Sequence, residues 1–425
     1  MTLLAATPDA RKVLIVAYHY PPVAGSSGIQ RTLKFSAYLR QHGWEPIVLT
    51  VNPRAYESVT DGQMAEIPPG LQVERVFALD TARHLSIGGR YLRPMSIPDR
   101  WVSWWPAGVL RGLQIIRQQR PAVIMSTFPI ATAHMIALTL RMRSGLPWVV
   151  DFRDNMTDPG FPRDPLTWRI NRRLEAACVR ECSKAVFTTR GALEMYAERY
   201  PKIPESRWSI IENGYDEDNF TDAESGFERH PLGKTDQLML IHSGALYPEE
   251  RDPLPFFAAL AFLKSKGEIS ATGLQVVLRA TGCDDFYRPL LQRNGIDDIV
   301  QLAPPVGYRH ALREMLCADG LLLFQAAMCN HQIPAKLYEY FRAGRPILAL
   351  TDPAGDTAEA MTNAGVDHIV AIDDQNSIID GLRTFISGVR KNQIKGVDRR
   401  QADRNSRRAR SAELAQLLTG LAIER

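Results

Sequence analysis

Two carboxylates and a guanidinium stand together in the segment WVVDFRDN, where a run of apolar, β-branched residues ends. They belong to Asp151, Arg153 and Asp154. If the run is a strand, these side chains follow its carboxyl end, the edge at which parallel α/β sheets bind ligands. A carboxylate there can orient a hydroxyl or accept its proton, so Asp151 and Asp154 are candidate catalytic residues. The alternative is a structural Asp–Arg pair that caps the following helix.

A glycine-containing loop, Gly25-Ser26-Ser27-Gly28, lies between the first apolar run and a helical pattern. Glycine allows close approach of the backbone, and the free amides and dipole of a helix N-terminus favour an anion. Gly25 and Gly28 are therefore candidate anion-binding residues, with a plain βα turn as the alternative. The next apolar run ends at Asn52 without an acidic residue to bind a ribose, which disfavours a nicotinamide site.

The segment IPAKLYEYFRAGRPILAL has the pattern of a helix followed by a strand. Ile333-Pro334 can open the helix, because proline suits a first turn, and Gly344 can close it. Lys336 and Glu339 are three residues apart and share a face near the helix N-terminus. A cation, terminal amides and a carboxylate are what the phosphates and the ribose of a nucleoside diphosphate require. The alternative is a surface ion pair, which contributes roughly a few tenths of a kcal/mol.

Short apolar runs alternate with helical stretches along the whole chain, as in parallel βαβ units. The runs predicted as strands are KVLIVAY, PIVLTV, VERVFAL, AVIMSTF, PWVVDF, KAVFTT and WSIIEN, then LMLIHSG, LQVVLRATG, IVQLAP, GLLLFQ, PILALT and HIVAI. A length of 425 residues exceeds what one hydrophobic core usually serves. We therefore predict an α/β fold of two doubly wound, Rossmann-like domains that face a central cleft. The predicted domains are residues 1–215 and 216–404, followed by a helix over 405–425.

Composition excludes several classes of protein. Apolar residues make up 45% and charged residues 23% of the chain, which argues against disorder, collagen and a disulfide scaffold. The five cysteines are too few and too scattered for a disulfide framework. Cys178 and Cys182 have no second Cys/His pair nearby, so we expect no zinc site. The N-terminal residues have neither the basic region nor the long apolar region of a secretory signal peptide. No run reaches the roughly 18–20 apolar residues that span a membrane, so we expect a cytoplasmic protein.

The order of these segments resembles that of retaining, family-4 glycosyltransferases of the GT-B fold. The matching segments, between about Val13 and Asp373, are PPVAGSSG, WSIIENGYD, HSGALYPEERDP, RATGCDD, APPVGY and IPAKLYEYFRAGRPILAL. The resemblance implies transfer of a sugar, with retention, from a UDP- or GDP-linked donor to a glycan or lipid-linked acceptor in polysaccharide biosynthesis of the cell envelope. It implies that the C-terminal domain binds the donor, and that the last helix packs back on the N-terminal domain.

The resemblance also implies roles for single residues. Glu339 corresponds to the carboxylate that binds the ribose, and amides near Gln332, Ile333 and Pro334 approach the diphosphate. The full predicted donor-binding set is Gly25, Gly28, Gly244, Arg251, Gly282, Ile333, Lys336 and Glu339. The nucleotide-sugar is a substrate, and we expect no cofactor and no metal, because no paired Asp-x-Asp motif marks a metal site and side-chain cations can carry the charge of the diphosphate. The leaving diphosphate can help to take the acceptor proton, so an essential protein base is not required.

Two departures from the family pattern leave alternatives open. His331 stands eight residues before Glu339, where the family has a second glutamate. Gly244-Ala245 and later Arg251 stand where the family often has Gly-Arg and then lysine, so Arg251 and Lys336 are the candidates to neutralise the diphosphate. These changes resemble a subgroup with a P-A-K-L-[FY]-E-Y form that handles cell-surface sugars. The alternatives are a nucleotide-sugar 2-epimerase of the same fold, and a non-catalytic GT-B partner subunit.

A basic segment, Arg90–Arg120, contains Trp101, Trp104 and Trp105 among arginines and continues into an amphipathic pattern. Arginine with interfacial tryptophan predicts reversible binding to an anionic membrane surface, close to a polyprenyl-diphosphate-linked acceptor. The alternative is that the tryptophans pack in the domain and the arginines are solvated. No recognised nucleic-acid-binding module accompanies the patch, so we do not expect nucleic acid as a partner.

Overall fold

The computed structural model describes residues 10–24, 28–226, 236–248 and 250–423. The chain divides into two compact units: the first comprises Met1–Asn213 and Arg407–Arg425, and the second comprises Gly214–Ser406. Each unit contains one parallel sheet with helices on both faces. The predicted α/β fold with two Rossmann-like domains is therefore confirmed.

The first unit has a seven-stranded sheet in the order β3-β2-β1-β4-β5-β6-β7. The strands are β1 Arg11–Val16, β2 Trp44–Val51, β3 Gln72–Val76, β4 Val123–Thr127, β5 Trp148–Phe152, β6 Lys184–Phe187 and β7 Trp208–Ile210. Ile15 of β1 is in register with Val48 of β2 on one side and Met125 of β4 on the other. The strand order reverses between β1 and β4, so their carboxyl ends open a crevice of the kind in which such sheets bind ligands.

Helices cover both faces of this sheet because its strands are apolar on both sides. Within the described residues they are α1 Gly28–Tyr38, α2 Thr81–His84, α3 Trp104–Gln119, α4 Ala131–Ser144, α5 Pro165–Glu181, α6 Arg190–Arg199 and, from the chain's end, the last helix, Arg407–Ile423. Leu414 and Leu418 of the last helix pack with Phe35 and Trp44 of this unit. The Trp44 indole also donates a hydrogen bond to Thr419 Oγ1 at 3.1 Å.

The second unit has a six-stranded sheet in the order β10-β9-β8-β11-β12-β13. The strands are β8 Leu238–Ser243, β9 Leu274–Arg279, β10 Val300–Ala303, β11 Gly320–Gln325, β12 Ile347–Thr351 and β13 Ile369–Val370. Here the order reverses between β8 and β11, where Leu321 is in register with Ile241. The helices described are α7 Glu217–Glu224, α8 Leu254–Ser265, α9 Asp284–Arg293, α10 Tyr308–Cys317, α11 Lys336–Ala343, α12 Asp356–Asn363, α13 Gln375–Arg390 and α14 Arg399–Asp403; the last helix of the first unit is α15.

Candidate functional site

The carboxyl end of β8 and the start of α11 bring a histidine and a lysine together in the second unit. His242 is fully buried, and its Nε2 lies 3.0 Å from Nζ of Lys336. Burial and the Arg251 guanidinium lower the pKa of Lys336 well below its usual value, while Glu339 acts in the opposite direction. Sequence reasoning identified Lys336 but missed His242, whose only signal is a polar residue near the end of an apolar strand.

Two further predicted donor-binding residues lie beside this lysine. Gly244 follows β8 with φ of +110°, a backbone conformation that favours glycine, and a Cβ there would lie 3.0 Å from Lys336 Nζ. Arg251 donates from Nη1 to the carbonyl of Ala245 at 2.9 Å, and its guanidinium lies 5.7 Å from the Tyr247 ring centroid. Gly244, Arg251 and Lys336 are thus positioned at one end of the sheet, where the sequence predicted phosphate ligands.

Glu339 lies one helical turn beyond Lys336, as its spacing predicted. Its Oε1 accepts a hydrogen bond from the hydroxyl of Tyr308, the first residue of α10, at 2.6 Å. Tyr340 fixes this end of the helix from the buried side, because its hydroxyl accepts from Ser243 N at 3.1 Å and donates to Leu322 O at 3.3 Å. Tyr308 was missed as a site residue, although it ends the matched segment APPVGY.

The helix begins later than the sequence indicates. It starts at Lys336 and not at Ile333-Pro334, and Gly344 ends it in the left-handed conformation with φ of +65° as predicted. The backbone before it forms a turn, in which Gln332 N donates to Cys329 O at 2.9 Å. The Gln332 amide therefore has a partner within the loop, and the predicted approach of amides near Gln332, Ile333 and Pro334 to the diphosphate stays a prediction. Ile333 is partly buried and packs against the core of the unit.

The remaining predicted glycines are Gly25, Gly28 and Gly282. Gly282 follows β9 with φ of +77°, and a Cβ there would meet no neighbouring atom, so the conformation and not close packing explains the glycine. Gly25 lies outside the described residues. Gly28 is the first residue of α1, where a Cβ would overlap the Arg153 guanidinium.

Asp151 is a buried partner of Arg31 in the first unit. Its carboxylate accepts two hydrogen bonds from that guanidinium, at 3.0 and 2.7 Å, and a third from Thr127 Oγ1 at 2.9 Å. Arg31 also donates to the carbonyls of Ile211 and Glu212, both at 2.9 Å. This geometry contradicts a catalytic role for Asp151 and fits the structural alternative, with Arg31 of α1 as the partner in place of the neighbouring Arg153.

Asp154 remains accessible at the same edge of the first sheet. Its side chain is 44% exposed and accepts from Arg153 Nε at 3.2 Å. Burial, followed by the charge of Arg153, lowers the pKa of His19 to about 3, so this imidazole is neutral at pH 7. Among the described residues, Asp154 and His19 both interact with Arg153, whose guanidinium lies beside Gly28 at the start of α1.

Two of the three tryptophans of the basic segment pack within the first unit, so the three do not together form the predicted membrane anchor. Trp104 is completely buried, because α3 packs it into the core of the first unit. Trp101 is partly buried and donates to Ala55 O at 3.0 Å, while Trp105 is 40% exposed and donates to Thr139 Oγ1 at 3.0 Å. Arg111 is paired with Glu74.

The described residues include neither a metal-binding cluster nor a membrane-spanning helix. Among them, no group of three or more His, Cys, Asp or Glu side chains could hold a metal ion. No helix over the described ranges has the length and apolar character needed to cross a bilayer.

Comparison with known proteins adds a domain family and a fold. Residues 27–214 match the family model described as a glycosyl transferase 4-like domain. No curated protein sequence matches the chain. Solved structures with the same fold include sucrose-phosphate synthase from Thermosynechococcus elongatus, at 14% identity and a TM-score of 0.68, covering 98% of this chain and 100% of that chain.

Two further structures are similar over nearly their whole length. Anabaena HepE in complex with UDP and glucose has 12% identity and a TM-score of 0.62, covering 97% of this chain and 100% of its own. The UDP-forming α,α-trehalose-phosphate synthase from Burkholderia xenovorans, in complex with glucose-6-phosphate, has 12% identity and a TM-score of 0.63, covering 96% of this chain and 100% of its own. At these identities the likeness shows the GT-B fold. With the domain match, it supports the predicted enzyme class, a glycosyltransferase.

Proposed function

We propose that this protein transfers a sugar from a UDP- or GDP-linked donor to a glycan or lipid-linked acceptor in polysaccharide biosynthesis, with retention of the anomeric configuration. The observation that carries this proposal is that Lys336 and Arg251 lie beside the Gly244-Ala245 turn at the carboxyl end of the second sheet, with Glu339 one helical turn beyond Lys336. Two cations and one carboxylate match the diphosphate and the ribose of a nucleotide-sugar. The complexes of HepE with UDP and glucose and with UDP-glucose support a donor of this class.

The reaction itself is tested with labelled UDP- and GDP-sugars and a mixture of glycan and polyprenyl-diphosphate acceptors. We expect a labelled glycoside whose anomeric configuration, measured by NMR, equals that of the donor. An inverted linkage would contradict retention. Conversion of the donor sugar without transfer would indicate the 2-epimerase alternative, and binding without turnover would indicate a partner subunit.

Glu339 is proposed to bind the ribose hydroxyls. Its carboxylate is oriented by Tyr308 at 2.6 Å, so it is already positioned before the nucleotide binds. We expect Glu339→Gln to weaken UDP and uridine alike by about tenfold or more, since a hydrogen bond to a charged group contributes about 1.5–3 kcal/mol. Calorimetric titration of both ligands measures this. Equal affinities of the variant and the wild type would end the assignment.

The diphosphate charge is proposed to be neutralised by side-chain cations, without a required metal ion. On the acceptor side, Asp154 is the remaining candidate to orient the acceptor hydroxyl, because its carboxylate is accessible. The leaving diphosphate is proposed to help remove the acceptor proton. Loss of all transfer on addition of a chelator, with recovery on addition of a divalent ion, would contradict the metal-independent mechanism.

We propose that membrane contact is made by the exposed loop Ile87–Met95 of the first unit. Ile87 is 88% and Leu92 is 72% exposed, and Arg90 lies between them in the sequence. Apolar side chains flanked by arginine suit the interface of an anionic bilayer. This loop overlaps the start of the basic segment and replaces the tryptophans of that segment as the proposed anchor. It would bring the enzyme to a lipid-linked acceptor from the cytoplasmic side.

Replacing Ile87 and Leu92 together with serine is expected to reduce binding to vesicles containing anionic lipid by about tenfold, because two apolar side chains no longer leave water. Co-sedimentation with phosphatidylglycerol vesicles at low salt measures this. Leu110→Ser is the matched control, since Leu110 is 66% exposed on α3, outside the loop. Equal sedimentation of all three proteins would reject the loop as the anchor, and absence of binding by the wild type would favour a soluble acceptor.

A further inference from the structure

His242 is the buried titratable group of the donor site to which no role has yet been given. Its side chain is 0% exposed, and its ring lies edge-on to Phe324 with 5.2 Å between centroids. Both ring nitrogens have partners: Nδ1 lies 2.9 Å from the carbonyl oxygen of Leu322, and Nε2 lies 3.0 Å from Lys336 Nζ. A buried imidazole with a partner on each nitrogen is held in one orientation.

The partners also determine which nitrogen carries the proton. The Leu322 carbonyl can only accept, so we assign the hydrogen to Nδ1 and the lone pair to Nε2. The Ala245 carbonyl also faces this ring, and it accepts from Arg251 Nη1. Lys336 must then donate to Nε2, which fixes the direction of the lysine side chain. Lys336 Nζ is thereby held beside Gly244. A Cβ added at Gly244 would lie 3.0 Å from this nitrogen.

Among the described residues, the charged groups that act on this pair come from the loop after β8 and from α11. From the loop after β8 comes Arg251, whose guanidinium disfavours a second positive charge on either His242 or Lys336. From α11 come Glu339, which favours the charged lysine, and the neutral hydroxyl of Tyr340. Burial is the largest cause that lowers the pKa of both His242 and Lys336 well below their ordinary values. A bound diphosphate would reverse this balance, because it brings negative charge next to the two bases.

We propose that His242 is a positioning residue that holds Lys336 Nζ for the donor diphosphate, and that the Lys336–His242 pair takes up a proton when the diphosphate binds. The inference rests on the proposed function, since it requires the donor to bind at this site. The proton comes from the solvent and forms an N–H bond on Lys336 Nζ, while His242 Nε2 keeps its lone pair as the acceptor. No bond of the donor changes in this step.

The pH dependence follows from the direction of the shift. The lysine binds its proton weakly in the free protein and more strongly when the diphosphate is bound, so binding is linked to proton uptake. The affinity for UDP is therefore expected to be constant at low pH and to fall as the pH rises past the free-state pKa of Lys336. The fall is at most about tenfold per pH unit, the limit for one proton. Uridine, which lacks phosphates, is expected to show no such dependence.

Titration calorimetry of UDP and uridine in buffers of different ionisation enthalpy, between about pH 6 and 9, measures the proton uptake directly. His242→Phe preserves an aromatic ring against Phe324 but provides no acceptor, and we expect it to weaken UDP about tenfold and to leave uridine unchanged. His242→Gln retains an acceptor that can reach Lys336, so its UDP affinity should stay within about threefold of the wild type. A purely structural role for His242 would instead lower thermal stability in both variants and affect both ligands.

The outcomes separate the inference from the proposed function. Binding of UDP by the wild type without proton uptake would overturn only the inference, as would a His242→Phe variant that binds UDP like the wild type. Failure of the wild type to bind either UDP or GDP would overturn the proposed donor site and the inference with it. If His242→Phe does not fold, the inference is tested by the number of protons that the wild type takes up on binding UDP. We expect this uptake to be lost in Lys336→Met and kept in His242→Gln.

Discussion

Asp151→Asn is expected to destabilise the first unit by about 3–5 kcal/mol, because it leaves the buried Arg31 guanidinium without a counter-charge. Both side chains are almost fully buried, with 3% of Arg31 and 1% of Asp151 exposed. The Arg31 side chain connects α1 to the end of β5 and to the segment after β7. Disorder of this side chain would therefore weaken contacts among all three. All seven tryptophans of the chain are within the first unit, and their fluorescence during urea unfolding reports on that unit alone.

Asp154→Asn is the matched control, because its carboxylate is accessible and its partner is the adjacent Arg153. We expect it to change stability by no more than about 0.5 kcal/mol. Asp151→Asn should also retain the affinity of the second unit for UDP wherever the protein is folded. A variant at Asp151 that unfolds like the wild type but loses sugar transfer would restore the catalytic assignment that the geometry contradicts.

Arg251→Ala and Lys336→Met are each expected to weaken UDP by about 10- to 100-fold and to leave uridine unchanged. The reason is that each removes a cation from the proposed diphosphate site, where a charge-assisted hydrogen bond contributes about 1.5–3 kcal/mol. The ribose contact of Glu339 is retained in both variants. Titration of uridine, UMP and UDP against each protein separates the loss at the phosphates from any loss at the nucleoside.

Lys264→Met is the control, because it also removes a positive charge from the second unit. Lys264 lies outside the proposed site and pairs with Asp298 at 2.7 Å. Its affinity for UDP should equal that of the wild type. If Arg251→Ala and Lys336→Met weaken uridine as much as UDP, these residues do not act on the diphosphate. Arg251 and Lys336 would then have a structural role, in which they hold Glu339 or the loop after β8 in position.

Local sequence patterns were sufficient to predict the strands and the ends of the sheets. Each of the thirteen predicted apolar runs overlaps an observed strand, because strands covered on both faces are apolar throughout and stand out from amphipathic helices. Gly344 ends α11 where a left-handed residue was predicted. Lys336 and Glu339 could be found in the same way, since they lie near the start of a helix whose position the pattern fixes, whereas Gly244 was identified through the family resemblance.

The tertiary structure decided every feature that depends on residues distant in sequence. Arg31 and Asp151 are 120 positions apart, and His242 and Lys336 are 94 apart, so no local pattern indicates either pair. Tyr308 meets Glu339 because α10 and α11 pack together. The pattern of the basic segment was also ambiguous. Tryptophans among arginines are compatible both with a membrane-surface helix and with a helix that packs in a core. Trp104 is buried because α3 packs against α4 and the sheet, a contact that only the folded chain provides.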